Sequence, residues 1–478
     1  MSKIAGLQDL RQEGPPADIG TFQVPCDIIA FSHVFSGVTY YCALRAGDRG
    51  WVLIDHGTVA LTVLQSAVNS IPVTGCGVIF IKPPFYADGE LVIDRPGVTI
   101  LSEMYPDSNS AIFVTIDNIL IDSSNRAVTG VRIQGIFTYM IRFYAANGNY
   151  IEHTYFDECY VHSNGGLISE GIVFDGDDAA GSDIHNIYFT KCYFYDGGQS
   201  ARAGFVSFIC IGAGQIYFDH CHYACRAFAA TYTFMACEDE GLVSPDVSIS
   251  HCDFIASSTC TAWNFFILKS QTNAAKIGRV YSLKVNDCWF EHNCDGTLYT
   301  IEDSVQPTVL NVLHNHNTHE DASGKTVVII SNANTAWDSP PSYSSFNFLG
   351  NNRIAWGTMN IGTPGALNPF SVRIMDNFGI NPINRIVNCF DSGRNFIETD
   401  GAAAVPVASK NYKVECAGIL ITAANSANNN NAIIIKDGAG NAITAAAGTL
   451  NGVYVPHGFI INWGAFTGAA GACTVCFV

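Results

Sequence analysis

The sequence predicts an all-β protein: a single-stranded right-handed parallel β-helix with an N-terminal capping helix, followed by a small C-terminal antiparallel β-sandwich. Three observations predict it. The first is one short phrase written five times between residues 155 and 290, an apolar residue, two further positions, a cysteine, one position, then an aromatic or apolar residue. The copies are Phe156-Asp157-Glu158-Cys159-Tyr160-Val161, Phe189-Thr190-Lys191-Cys192-Tyr193-Phe194, Phe218-Asp219-His220-Cys221-His222-Tyr223, Ile249-Ser250-His251-Cys252-Asp253-Phe254 and Val285-Asn286-Asp287-Cys288-Trp289-Phe290, with cysteines 33, 29, 31 and 36 residues apart. A similar phrase continues with asparagine in the cysteine's place at Asn315, Asn351 and Asn377. A repeat of this length is a unit that cannot bury its apolar face until a neighbour stacks on it.

The second observation is what lies between the corners. Segments such as Ile184-His185-Asn186-Ile187-Tyr188-Phe189 and Val280-Tyr281-Ser282-Leu283-Lys284-Val285 are β-branched and aromatic, lack proline and are too short for helices, so they are strands. The third is that repeat length varies while the corner is constant, which fits a coil with loops of different size and one turn held in register. Like residues then stack from rung to rung. A β-propeller or an antiparallel sandwich is the competing architecture, in which the periodicity would be accidental.

Taken in order, residues 1–21 read as a flexible arm broken by Gly14-Pro15-Pro16. Residues 22–74 hold a hairpin and a capping helix: residues 34–41 form a strand, residues 46–50 a turn, and Trp51-Val52-Leu53-Ile54 returns. Residues 58–71 carry Leu61, Leu64, Val68 and Ile71 on one helical face, and Pro72 stops the helix. Residues 75–395 make the parallel β-helix, roughly nine to eleven coils from residue 97 on. Residues 396–478 lack the ladder phrase and alternate short apolar strands, such as Gly418-Ile419-Leu420-Ile421 and Phe459-Ile460-Ile461-Asn462-Trp463, with Asn, Gly and Ala turns, the spacing of a small antiparallel sandwich.

The 478 residues are 48% hydrophobic and 14% charged, which places the chain far from disorder. A formal charge of −18 argues against a nucleic-acid partner, which needs a basic footprint. Of the 17 cysteines, the five at the corner read as small apolar core residues, with stacked disulfides as the alternative. The first 16 residues are polar and lack a secretory h-region, so export would use another route such as virus assembly and lysis. No uninterrupted apolar run approaches the roughly 18 residues of a membrane span.

The run Leu64-Gln65-Ser66-Ala67-Val68-Asn69-Ser70-Ile71, then Gly75-Cys76-Gly77-Val78-Ile79-Phe80-Ile81, Pro83, Tyr86, Leu91-Val92-Ile93 and Gly97-Val98-Thr99-Ile100-Leu101 resembles the opening of the pectate-lyase-like superfamily of right-handed parallel β-helices. That group includes polysaccharide lyases, polygalacturonases and viral tailspikes. The resemblance covers residues 51–390 in architecture and 59–103 in detail, with Pro84-Phe85 standing where the family commonly has glycine. It implies a helix plugging the open N-terminal end of the coil and, for tailspike-like members, a homotrimer. It does not carry function, which lives in sites grafted on the fold.

Candidate chemistry is sparse. Gly176-Asp177-Asp178 matches one polygalacturonase motif, but the accompanying Asn-Thr-Asp, Gly-His-Gly and Arg-Ile-Lys phrases are missing, so a polar loop is favoured. Trp51-Val52-Leu53-Ile54-Asp55-His56 echoes a pectate-lyase calcium phrase but precedes the capping helix. The acidic residues Asp175, Asp177, Asp178, Glu238, Asp239 and Glu240 are the weak catalytic candidates and also offer oxygen ligands for calcium. His314, His316 and His319, beside Glu320 and Asp321, are the metal candidates, because the first two would share a strand face, but stacking or surface histidines are the favoured reading. Cys473 and Cys476 lie on opposite faces of a strand and support neither zinc nor redox chemistry. Tyr188, Tyr195, Tyr217 and Trp463 are candidates for stacking on sugars, within an aromatic set of which half must face the core.

The reading these features favour is a receptor-binding virion spike, fibre or surface β-helix that contacts a cell-surface glycan and assembles as a homo-oligomer, most simply a trimer. The alternative is a polysaccharide-degrading enzyme of the tailspike depolymerase type, a lyase or a glycoside hydrolase, whose carboxylates come from different coils or subunits.

Overall fold

The computed structural model describes residues 26–301 outside 49, 103–113, 164–169, 178–181, 198–203, 210–211, 226–229, 238–245, 269–278, then residues 308–321, and from 327 to 477 the strands given below with a few turn residues. The expected arm at residues 1–21 lies outside them. Among the described residues there is one helix, and the rest is strand and turn.

Ile28–Phe35, Val38–Gly47 and Gly50–Gly57 form an antiparallel meander. Residues 34–41, expected as one strand, are instead broken at Ser36 and Gly37, whose φ angles of 51° and 77° are the left-handed pair of a two-residue hairpin. The helix follows at Ala60–Asn69, shorter at each end than the 58–71 span of the pattern. It buries Ala60, Val63, Leu64, Ala67 and Val68. Its Gln65 side chain donates to the Val92 carbonyl at 2.9 Å and accepts from the Val92 N–H at 2.9 Å, pairing with that strand as another strand would. The helix thus covers the first rung and meets its backbone, the plug that an open sheet end requires.

The coil has three faces. On the first, Gly77–Ile81 pairs in parallel with the meander strand Ile28–Phe35 and is followed by Val98–Ser102, Arg132–Gln134, Tyr150–Asp157, Asp183–Thr190, Gly212–Asp219, Asp246–Ser250, Arg279–Asn286, Thr308–Asn315, Ser345–Leu349, Phe370–Ile374 and Cys389–Asp391. The second holds Tyr160–Ser163, Tyr193–Asp196, His222–Cys225, Asp253–Ala256, Trp289–His292, Thr318–Asp321 and Arg353–Ala355. The third holds Ile172–Gly176, Val206–Phe208, Thr231–Cys237, Ala262–Leu268, Gly296–Ile301, Val327–Asn332, Met359–Ile361 and Arg385–Ile386. In the early rungs, Phe85–Ile93, Val114–Asp122 and Phe137–Ala145 run through faces two and three as one strand; Phe137 pairs with Tyr160 and Ile141 with Ile172. Inward side chains stack in file. Phe156, Phe189 and Phe218 have ring centroids 5.1 and 5.0 Å apart, and Phe143, Phe174 and Phe208 lie 4.9 and 4.8 Å apart, the strand-to-strand spacing of a sheet.

The corner between faces one and two is the repeated phrase. Cys159, Cys192, Cys221, Cys252 and Cys288 form one column and are at most 4% exposed, as the phrase predicts. Each of the first four thiols donates to a carbonyl of the preceding rung, those of Ile133, Phe156, Phe189 and Phe218, at 3.3 to 3.6 Å. All the described cysteines are free, so the stacked-disulfide alternative is not realised among them. The chain turns here because the residue before each ladder position is left-handed: Glu158, Lys191, His220, His251, Asp287 and His316 have φ between 50° and 54°. Each such residue from Glu158 to Asp287 still donates its N–H to the next rung, so the turn leaves no orphaned donor.

The asparagine that continues the column is Asn317, not the expected Asn315, which instead pairs with Asn286 at the end of the strand. Asn317 is fully buried, accepts from the Cys288 N–H at 2.9 Å and donates to the Val285 carbonyl at 2.9 Å. Asn351 and Asn377 lie outside the described residues. Toward the C-terminus, Phe396–Thr399, Cys473–Phe477, Gly418–Ala424 and Val453–Pro456 form one antiparallel sheet, and Asn411–Lys413, Ile460–Trp463, Ile433–Lys436 and Ala442–Ile443 a second. Ile435 of one and Val455 of the other are both buried, and Asp437 closes a turn by accepting the N–H groups of Ala439 and Asn441.

Candidate functional site: the outer corner of the coil

Because the ladder residue points inward, its two neighbours point outward, and on successive rungs they form columns. The position after the ladder residue is Tyr160, Tyr193, His222, Asp253, Trp289 and Thr318. The left-handed position before it is Glu158, Lys191, His220, His251, Asp287 and His316. Another column on face one runs Tyr155, Tyr188, Tyr217, Ser248 and Lys284. Its tyrosine rings lie 4.8 Å apart and within 7° of parallel.

The two aromatic columns cover their own ring faces, and both give way to polar residues at the same height. There an open depression of about 320 Å³ is lined by His251, Asp253, Asp287, Cys288, Trp289, His316 and Thr318. Trp289 is 42% exposed, and its rung neighbours are Asp253 and Thr318 rather than rings, so the indole is offered to solvent. At one end, Asp219 accepts from Ser250 Oγ at 3.1 Å and meets His251 at 3.0 Å and His220 at 3.1 Å, while the rings of His220 and His251 stack at 4.7 Å. Partial burial alone would raise the Asp219 carboxyl, but the hydrogen bonds from His251, His220 and Ser250 outweigh it and hold the group below its ordinary value. Asp219 in turn holds the His251 imidazole above its ordinary value. The arrangement is a carboxylate and imidazole rim around one exposed indole.

The structure separates the expected histidines. His316 sits at the left-handed turn and is exposed beside Asp287, whereas His314 and His319 are buried. The shared face expected of His314 and His316 is therefore not formed, because alternation stops where the strand ends. His314 and His319 meet in the core with His292: His319 contacts His314 at 2.8 Å and His292 at 3.3 Å, and Tyr299 Oη contacts His314 at 2.8 Å. Burial pushes His292 and His314 down to about 3, and His319 well below its ordinary value.

Of the acidic candidates, Asp175 pairs with Arg142, which takes up the carboxylate calcium would need, and Asp177 accepts from Asn147 N–H at 2.8 Å and Ser182 Oγ at 2.7 Å. Asp175 thus ties two neighbouring rungs together, and Asp177 holds the turn beside them. Asp178, Glu238, Asp239 and Glu240 lie outside the described residues, as do the side chains of Trp463, Cys473 and Cys476. Tyr188, Tyr195 and Tyr217 face outward, half-buried; of the aromatic set Tyr188, Tyr193, Phe194, Tyr195, Tyr217 and Tyr223, Phe194 and Tyr223 are buried, fewer than the expected half.

A second acidic feature lies on the early rungs. Burial and the Asp88 carboxylate, to which a protonated Asp117 can donate, raise the Asp117 carboxyl, beside Tyr86 and Tyr139.

No protein-family model and no curated protein sequence matches the chain. Among solved structures, the chain is similar to a tailspike protein, gp49, of Acinetobacter baumannii bacteriophage Fri1, described as a capsular polysaccharide depolymerase, at 12% identity and a TM-score of 0.37 over 95% of each chain.

Proposed function

We propose that this protein is a virion spike or related surface β-helix that binds a cell-surface polysaccharide along the outer corner of its coil. The observation that carries the reading is Trp289, an exposed indole without ring neighbours on its rung column, set in a depression rimmed by Asp253, Asp287, His251 and His316. A sugar presents an apolar C–H face and a rim of hydroxyls; an aromatic face flanked by fixed acceptors and donors is complementary to both. The tyrosine columns extend the surface along the axis and present their hydroxyl edges. The test is a glycan-array screen with the full chain, followed by calorimetry on the best ligand. Trp289→Ala is expected to weaken binding about tenfold or more, a loss of about 1.4 kcal/mol. Unchanged affinity would remove the corner from consideration.

One observation favours the alternative, a polysaccharide-degrading enzyme: burial and the neighbouring Asp88 raise the Asp117 carboxyl above its ordinary value, the direction in which a general acid is tuned. A reducing-end assay and an ultraviolet assay for unsaturated products, run on the bound glycan, decide between the two. Turnover that is lost in Asp117→Asn establishes the enzyme, and bound glycan left intact establishes the binder.

A further inference from the structure

We propose that the N-terminal meander carries a zinc site formed by His33, Cys42 and His56, with a fourth position open to solvent or to an incoming ligand. The three residues come from three adjacent strands, and their donor atoms all lie within 4.8 Å of one another. His33 Nδ1 is 3.8 Å from Cys42 Sγ. Two ligands on a tetrahedral zinc, with Zn–S about 2.3 Å and Zn–N about 2.0–2.1 Å, stand about 3.5 Å apart, so closure needs about 0.3 Å at the His33–Cys42 pair and at most about 1.3 Å at the widest pair, within reach of side-chain rotation.

The backbone is arranged for this convergence. Cys42 pairs across one strand boundary with Phe31, which shares a face with His33, and across the other with His56. His56 reaches that face because the register slips by one residue between Ala43 and Leu44. In an unbroken ladder, Asp55 would stand opposite Cys42. The bulge instead turns Asp55 toward the helix, where it accepts from Ser66 Oγ at 2.6 Å, and aims the imidazole at the thiol. Tyr40 stacks on both imidazoles, at 5.2 Å from His56 and 5.7 Å from His33, and holds them in place.

The chemistry of the donors selects the metal. One thiolate with two imidazoles suits zinc, and three protein ligands leave a coordination position free. Cys42 is 1% exposed, so its sulfur forms the inner side of the site, with the half-buried imidazoles of His33 and His56 toward the surface. The site lies apart from the outer corner, and its test is independent of glycan binding.

The experiment uses the full chain, free of any affinity tag, stripped with a chelator and titrated with zinc chloride and, for spectra, cobalt chloride. One equivalent of cobalt bound through Cys42 is expected to give a thiolate-to-metal charge-transfer band in the near ultraviolet, displaced by zinc. Cys42→Ser abolishes that band, and Tyr40→Ala, which leaves the ligands intact, weakens zinc binding about 10–100-fold. If Cys42→Ser does not fold, His33→Gln, on a half-buried ring, takes its place and must lower zinc affinity about tenfold or more. A charge-transfer band of unchanged strength in Cys42→Ser, zinc affinity unchanged in His33→Gln, or no band in the wild type overturns the proposal.

Discussion

At the residue scale the least ordinary feature is the buried file of Tyr299, His314, His319 and His292. One consistent set of neutral tautomers runs through it: Tyr299 Oη donates to His314 Nδ1, His314 Nε2 donates to His319 Nε2, and His319 Nδ1 donates to His292 Nε2. An added proton would put a charge into a core with little means of solvating it. The folded chain therefore refuses protons that the unfolded chain takes up below about pH 6.5, so stability is fully present above that pH and falls as pH falls toward the folded values near 3. Between pH 6.5 and 5, where carboxylates hardly titrate, the expected loss is about 1.5 kcal/mol for each histidine that stays neutral. Denaturant melts at pH 6.5, 6 and 5 measure this; a flat profile would show that the file protonates in the folded state. The ladder thiols make a sharper case. Cys221 is 4% exposed, and Cys221→Asp is expected to lower stability by about 4 kcal/mol by burying an unpaired charge. A melting temperature equal to the wild type would contradict its burial.

At the element scale the unit is the corner, one left-handed residue followed by one small inward residue. Cysteine and asparagine fill the inward position differently, the thiol as a weak donor to the preceding rung and the Asn317 amide as a double bridge to Cys288 and Val285. Asn317→Ala strands both backbone groups and should cost about 2–4 kcal/mol, whereas Asn317→Cys restores the column's usual occupant and should cost clearly less. Chemical denaturation of the two variants tests the order, and equal losses would mean the amide bridges contribute nothing. The corner was legible because cysteine is rare enough for its repetition to stand out and because the aromatic residue two places on fixes the phase. Its continuation was misplaced by two residues because two asparagines flank His316, and the left-handed turn that chooses between them leaves no mark in composition. The lining of the depression was written beside the ladder all along: His251 and Asp253 flank Cys252, Asp287 and Trp289 flank Cys288, and His316 and Thr318 flank Asn317. Each looks like an ordinary turn residue by itself, and only the stacking of rungs about 30 residues apart brings them together. The meander's zinc ligands were hidden for another reason, since a one-residue bulge decides which of Asp55 and His56 faces Cys42, and strand pattern alone does not reveal a bulge.

At the scale of the whole molecule, the helix at Ala60–Asn69 and the meander close one end of the coil, and a parallel stack needs a cover at its other end as well. The C-terminal sheets are the available module, and on them Ile443 and Tyr454 are 45% and 50% exposed. We expect a homotrimer held in part by residues 396–478, which light scattering checks directly: the full chain should report three times the mass of one chain, and a truncation at Arg394 should lose it. The mass of a single chain for both at micromolar concentration would end this expectation. The columns of like residues also give the surface a translational symmetry. From Tyr155 to Tyr188 to Tyr217 the same side chain recurs every 4.8 Å in the same orientation. To a polymer laid along the axis, each shift by one rung offers an equivalent set of contacts, so the energy profile is shallow and periodic and the polymer is free to slip lengthwise. At Ser248, and at Asp253 on the neighbouring column, the period is broken. On the proposed reading the coil is a track for such a polymer, and its period ends one rung before Trp289.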